Sequence, residues 1–156
     1  DHVERKEAIS LGLPTFHRSD LLDQCMRGKK PLLITGTHGK TTTSTLLAHL
    51  LLKAGLDPSF AVGGISGNYK TNAKMGGGDF FVAEADESDG SFLKTHAYGA
   101  IVTNLENEHL SYWKTAKCLD NGFAAFFSEV QDPKHLFWCA DDPRLTALQP
   151  RGVSYG

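Results

Sequence analysis

Leu32-Leu33-Ile34-Thr35-Gly36-Thr37-His38-Gly39-Lys40-Thr41-Thr42-Thr43 sets an apolar run directly against a glycine-bracketed turn, a lysine and a row of hydroxyls. The run Leu46 to Ala54 that follows has helical amphipathicity. Strand, tight turn and helix in this order form a phosphate-binding loop: turn amides face an anion, and the helix start adds partial positive charge. Gly36, Thr37, His38, Gly39, Lys40, Thr41 and Thr42 are the residues expected to hold the phosphate. Lys40 is long enough to reach the outer phosphates, and the Thr41 hydroxyl is placed to ligate Mg²⁺. The general pattern G-x-x-x-x-G-K-[ST] needs glycine at position 34, where this chain has isoleucine. The remaining G-x-x-G-K-T is weaker as a general nucleotide signature and more selective for a family.

Working outward, Val3 to Leu11 reads as a short helix closed by Gly12 and Pro14, and Asp20 to Arg27 as a second with Ser19 as its N-cap. Strands are expected at Leu32–Thr35, Ser59–Val62, Asp79–Ala85, Gly99–Thr103 and His135–Cys139. The glycine-rich stretch from Gly67 to Gly78 reads mainly as loop, with Asn68 and Tyr69 within reach of a substrate. Lys114 to Val130 has the spacing of one helix packed through Leu119, Phe123, Phe126 and Phe127, and Asp141-Asp142-Pro143 opens a shorter one. Trp113, Phe126 and Phe127 read as core rather than as a base-stacking platform. Alternating strands and helices place the chain in the α/β class, with a mostly parallel sheet flanked by helices.

At 156 residues the chain is long enough for a well-buried domain, and 40% hydrophobic with 22% charged residues is ordinary for a globular one. Sixteen basic against eighteen acidic residues, a net charge of −2, argue against a nucleic-acid binder, which needs a basic excess. Three scattered cysteines with no C-x-x-C pair suggest neither zinc nor a disulfide framework. No apolar stretch approaches the roughly 20 residues of a membrane span, and the N-terminus lacks a signal peptide's pattern. Cytoplasmic localisation, with no membrane partner, is the expectation.

Ligands of such a sheet collect beyond the carboxyl ends of its strands. Two further strand ends carry polar chemistry. Glu84-Ala85-Asp86-Glu87-Ser88-Asp89 puts four carboxylates within six residues, which repel one another unless cations or donors balance them. A Mg²⁺ between Glu84 and bound phosphates would do so; a solvated acidic turn is the plainer alternative. Thr103-Asn104-Leu105-Glu106-Asn107-Glu108-His109 delivers a polar stretch ending in histidine. Taken alone, His109 reads as an ordinary surface residue, and His38 as a turn residue whose backbone matters more than its ring.

Together, Gly36 to Thr43, then Glu84-Ala85-Asp86-Glu87-Ser88-Asp89-Gly90-Ser91-Phe92, then Thr103-Asn104 with His109 resemble the Mur ligase family over nearly the whole chain. Ala54 to Phe60, Gly63-Gly64 and Ser88 favour its alanine-adding branch over the tripeptide-recycling branch, which typically has tyrosine at the position of Ser88. The resemblance implies a P-loop NTPase-like central domain, with ATP and Mg²⁺ as cofactors. The catalytic set it implies is Lys40, Glu84 and His109, with Thr41, Glu84 and His109 as metal residues. UDP-N-acetylmuramate and L-alanine would be the substrates, joined as an amide through an acyl phosphate in peptidoglycan precursor synthesis.

Three departures stand out. Where family members usually show Asp-His followed shortly by Asp, this chain has Glu108-His109-Leu110-Ser111, without the second acid. The lysine that several relatives carbamylate falls by spacing near Ala124, so it is missing. The family has three domains. By resemblance, residues 1–30 correspond to the end of a UDP-binding domain and a linker, and residues 31–156 to an incomplete ATP-binding domain. The C-terminal domain that brings the amino acid lies outside this chain. A piece of this extent is expected to bind nucleotide weakly and not to turn over.

Overall fold

The computed structural model describes residues 2–156. Among the described residues, six α-helices and seven strands follow the alternation in the sequence: α1 (Val3–Ser10), α2 (Arg18–Met26), β1 (Lys30–Thr35), α3 (Lys40–Lys53), β2 (Ser59–Ala61), β3 (Ala73–Lys74), β4 (Phe80–Glu84), β5 (Gly99–Val102), α4 (Leu110–Trp113), α5 (Ala116–Ser128), β6 (Leu136–Cys139), α6 (Pro143–Leu148) and β7 (Val153–Tyr155). They form one sheet of order β3-β2-β4-β1-β5-β6-β7, parallel except where β3 meets β2. β1 is central: Ile34 lies beside Glu84 of β4 on one side and Ile101 of β5 on the other. From β1 the chain passes through α3 to β2 on one side of the sheet, and from β5 through α5 to β6 on the other. The crevice of a doubly wound sheet opens at such a reversal.

Side chains alternate across a strand, so neighbouring residues of β1 feed opposite faces. Leu33 joins Phe81, Ala83, Ala100 and Val102 under Leu119, Phe123 and Phe126 of α5. Ile34 joins Phe60, Val82 and Ala48 beneath α3. Both faces being covered explains why β1 and β4 read as nearly continuous apolar runs. Phe126 is fully buried and stacks on Phe92 at 5.2 Å, while Trp113 and Phe127 pack partly buried against the same cluster, so all three serve as core.

Local chemistry moves several expected boundaries. α2 begins at Arg18, capped by His17 rather than Ser19: the His17 ring accepts from the Ser19 amide, and Asp20 accepts from the His17 amide at 2.8 Å. The helix expected over 114–130 is present as α5 but starts only at Ala116, because Lys114 takes a positive φ of 66° and separates it from the short α4. The Thr115 hydroxyl then caps a new start by accepting from the Cys118 amide at 3.1 Å. Within 67–78 the loop contains the short β3, and β7 was not expected at all. The first-turn residues Lys40 to Thr45 are part of α3, whose buried face holds the small residues Ser44 and Ala48, while Leu46 and Leu50 are exposed.

Candidate nucleotide and metal site

The loop between β1 and α3 has the backbone its glycines allow. Gly36 (φ 125°) and Gly39 (φ 83°) lie where side chains are disfavoured, and a Cβ on Gly36 would collide with the Thr103 hydroxyl. The end of β5 fastens the loop. Asn104 accepts from the Thr37 amide through its carbonyl (3.2 Å) and from the His38 amide through Oδ1 (2.8 Å). Thr103 Oγ1 and Asn104 Nδ2 both donate to the His38 carbonyl, at 2.6 and 3.0 Å, and the Glu106 amide donates to Thr37 Oγ1 at 2.8 Å. Thr103-Asn104 is therefore the brace of the loop between β1 and α3. The Lys40, Thr41 and Thr42 amides occupy the first turn of α3, where a helix offers no internal acceptor, and so are available to an anion.

Glu84, at the carboxyl end of β4, accepts from the Gly63 amide at 2.6 Å and from Ser44 Oγ at 3.1 Å. A Cβ built on Gly63 would sit 2.9 Å from both a Glu84 oxygen and Thr41 Oγ1, so the two oxygens are separated by at most twice that distance. A carboxylate and a hydroxyl facing one another across a bare glycine are hard oxygen donors of the kind Mg²⁺ takes. Thr41 and Glu84, from α3 and β4, are thus brought together.

His109 sits elsewhere. It lies in the left-handed region (φ 55°) immediately before α4, and its Nε2 is 3.6 Å from Glu87 Oε1 and 3.7 Å from Glu108 Oε2. The ring of His38 faces Glu106 and Glu108 at 3.6 and 3.8 Å; these three residues place ligand-type atoms within 4.8 Å of one another, and all are exposed. The main-chain engagement of His38 matches its reading as a turn residue.

Glu87 was not singled out from the sequence. Only 2% exposed, it holds Lys40 Nζ with both oxygens, at 2.9 and 3.1 Å, while Nζ also donates to the Gly36 carbonyl at 2.6 Å. The Glu87 carbonyl accepts from Trp113 Nε1 at 2.8 Å, and the indole lies against Gly122, where a Cβ would collide with it. A glycine in the middle of a helix was the available signal for this packing. The acidic run is thus divided among separate partners. Asp86 pairs with Arg18 at 2.6 Å and accepts from the Ser88 amide; Asp89 accepts from the Ser91 amide and lies 3.4 Å from His17. Burial pushes the Asp86 carboxyl up, but hydrogen bonds from Ser88 and Arg18 outweigh it and hold the group below its usual value. Asp89 is likewise held low by Ser91 against burial. Neither a solvated turn nor a shared cation accounts for all four acids.

Residues 34–155 match the family model for the Mur ligase middle domain. The chain belongs to the Mur ligase family. Among Mur ligases it is similar to the UDP-N-acetylmuramate–L-alanine ligase of Protochlamydia amoebophila, 54% identical over the whole chain, and to that of an Anaeromyxobacter species, 46% identical. It spans 35% of the length of each. Among solved Mur ligase structures, the UDP-N-acetylmuramate–alanine ligase of Thermotoga maritima superposes with a TM-score of 0.81 at 26% identity, over 93% of this chain and 34% of that one. The UDP-N-acetylmuramate:L-alanyl-γ-D-glutamyl-meso-diaminopimelate ligase from Neisseria meningitides gives 0.82 at 26% identity, over 95% and 51%. Among the described residues no helix is long and apolar enough to cross a membrane.

Proposed function

We propose that this chain is the ATP-handling part of a UDP-N-acetylmuramate–L-alanine ligase. In this reading residues 31–156 form the ATP-binding domain, and residues 1–30 are the end of a preceding UDP-binding domain and linker. The exposed apolar side chains Val3, Ile9, Leu13 and Phe16 suit a segment that packs against a neighbouring domain. A further domain would bring L-alanine. The observation that carries the alanine-adding branch is 54% identity along the entire chain to a ligase of that name.

The chemistry follows from the charges. A carboxylate is a poor electrophile, so the lactyl carboxylate of UDP-N-acetylmuramate must first be phosphorylated by ATP before the alanine amine can displace phosphate. Two anions have to meet, and positive charge has to stand between them. Lys40 and the first-turn amides of α3 would bind the outer phosphates. Thr41 and Glu84 would hold Mg²⁺, with His109 orienting or ligating a second ion on the acceptor side. When bound, Mg²⁺ neutralises phosphate oxygens and lets the carboxylate approach. In this reading the reaction takes place in the cytoplasm, where ATP is available, and needs no nucleic acid.

Ligation by the full-length protein, assayed with L-alanine, glycine, L-serine and a muramyl tripeptide, tests the reading. L-alanine should be preferred. Preference for the tripeptide would move the protein to the recycling branch, which the Neisseria superposition keeps as the second reading. Lys40→Ala and Glu84→Ala should each lower ligation by orders of magnitude, roughly 100-fold or more. Absence of any acceptor-dependent ATP hydrolysis would leave a non-catalytic nucleotide-binding module.

A further inference from the structure

Lys40, the residue that a phosphate loop aims at its anion, is already engaged by an anion belonging to the protein. Glu87 chelates its ammonium with both oxygens, and the Gly36 carbonyl takes a further bond. An ammonium has three donors, so these contacts use its hydrogen-bonding capacity. The side chain is folded back over its own loop, 17% exposed. Glu87 is fixed from behind by the Trp113 indole on its carbonyl, which in turn is seated on Gly122.

We infer that Glu87 is a positioning residue that acts as an internal stand-in for phosphate: its carboxylate holds Lys40, and a polyphosphate binds by taking Lys40 from it. The inference rests on the phosphate-loop reading above and adds a competitor to it. A buried carboxylate deprived of its cation is costly, so the exchange needs a replacement partner. His109 Nε2, 3.6 Å from Glu87 Oε1, stands where a small movement would complete an N–H···O bond. Nucleotide binding and the orientation of His109 are thereby linked through one side chain: Lys40 turns to the phosphates as Glu87 turns to His109. This places Glu87 between the phosphate side and the acceptor side of the site without requiring it to touch either substrate.

An anion that competes for Lys40 lowers the apparent affinity by the fraction of molecules in which Lys40 is free. Its removal should therefore strengthen binding, the reverse of what loss of a ligand or a scaffold residue would do. The test is an NMR titration of the full-length protein with inorganic pyrophosphate in EDTA, followed at the amides of residues 39–42, for the native sequence, Glu87→Gln, Lys40→Met and the double variant. We expect Glu87→Gln to bind about tenfold more tightly, Lys40→Met to bind more weakly, and the gain to vanish in the double variant. Unchanged or weaker binding by a folded Glu87→Gln overturns the inference while leaving the phosphate loop intact. No response of the native chain, or no loss in Lys40→Met, overturns the phosphate-loop reading itself. Should Glu87→Gln fail to fold, the native chain still decides: the Glu87 side-chain carboxyl ¹³C resonance must shift as pyrophosphate saturates, and a stationary resonance refutes the exchange.

Discussion

The Gly63 amide donates to the Glu84 carboxylate at 2.6 Å, so the strand end that carries the acid is oriented by a residue with no side chain of its own. Thr41 Oγ1 completes the opening on the other side, 2.9 Å from where a Cβ on Gly63 would lie. Gly63→Ala should therefore insert a methyl between the two oxygens proposed to bind Mg²⁺. Displacement of a reacting group by about 1 Å costs on the order of 100-fold in rate. Ligation by the full-length Gly63→Ala protein should fall by that order, with Mg²⁺ titration showing a raised requirement; normal Mg²⁺ dependence would refute the assignment.

Gly122→Ala separates packing from propensity. In an exposed helix the change would add about 1 kcal/mol of stability. Here the new methyl would strike the Trp113 ring, so urea unfolding should show a loss of stability. Trp113 fluorescence should change with it, since the indole would be driven off the Glu87 carbonyl.

Asn104 clamps His38 through both ends of its amide, accepting from the His38 amide and donating to its carbonyl. Asn104→Ala should cost about 1–2 kcal/mol, two ordinary hydrogen bonds, in equilibrium unfolding. Asn104→Asp keeps the acceptor but places a negative charge beside the loop. It should weaken pyrophosphate binding more than Asn104→Ala does, and the reverse order would argue against an anion in this loop.

Acid should loosen the attachment of α2. The Asp86 and Asp89 carboxyls are held below their usual value of 3.8 in the folded protein, so between the folded and unfolded values the unfolded chain binds more protons. Their contribution is complete above 3.8 and is lost as pH falls through the lower folded values. Because the Arg18–Asp86 pair is partly solvated, Arg18→Ala should cost no more than about 1 kcal/mol at neutral pH. The difference between native and variant, read by urea unfolding, should close as pH drops below 3.8; a constant difference would mean that Arg18 acts by packing alone.

Periodicity and punctuation carried most of the sheet. Ile34 and Val82 sit in runs apolar at every position, which only a strand covered on both faces tolerates, and the glycines of 36–39 announced the turn between β1 and α3. Boundaries failed where one side chain outbid a better-known signal, as when the His17 ring capped α2 ahead of Ser19. The late start of α5 after Lys114 was hidden because its cause, a positive φ, belongs to no residue type that advertises it. In the candidate site, Lys40 and Thr41 were legible from the loop pattern, while Glu84 was picked out of its acidic run with the help of the family resemblance. The partnership of Lys40 with Glu87 was not, because four neighbouring acids look alike in sequence. Only the fold sorts which of them faces Arg18, which faces Lys40 and which faces Gly63.

The ties from Thr103, Asn104 and Glu106 to the loop at 37–38 are all made between residues of the chain itself. The disorder such a glycine-containing segment would otherwise possess is removed when the chain folds, not when nucleotide arrives. The proposed capture of a polyphosphate should therefore carry little entropic penalty from the loop itself, and its temperature dependence should reflect exchange of charged partners rather than ordering of backbone.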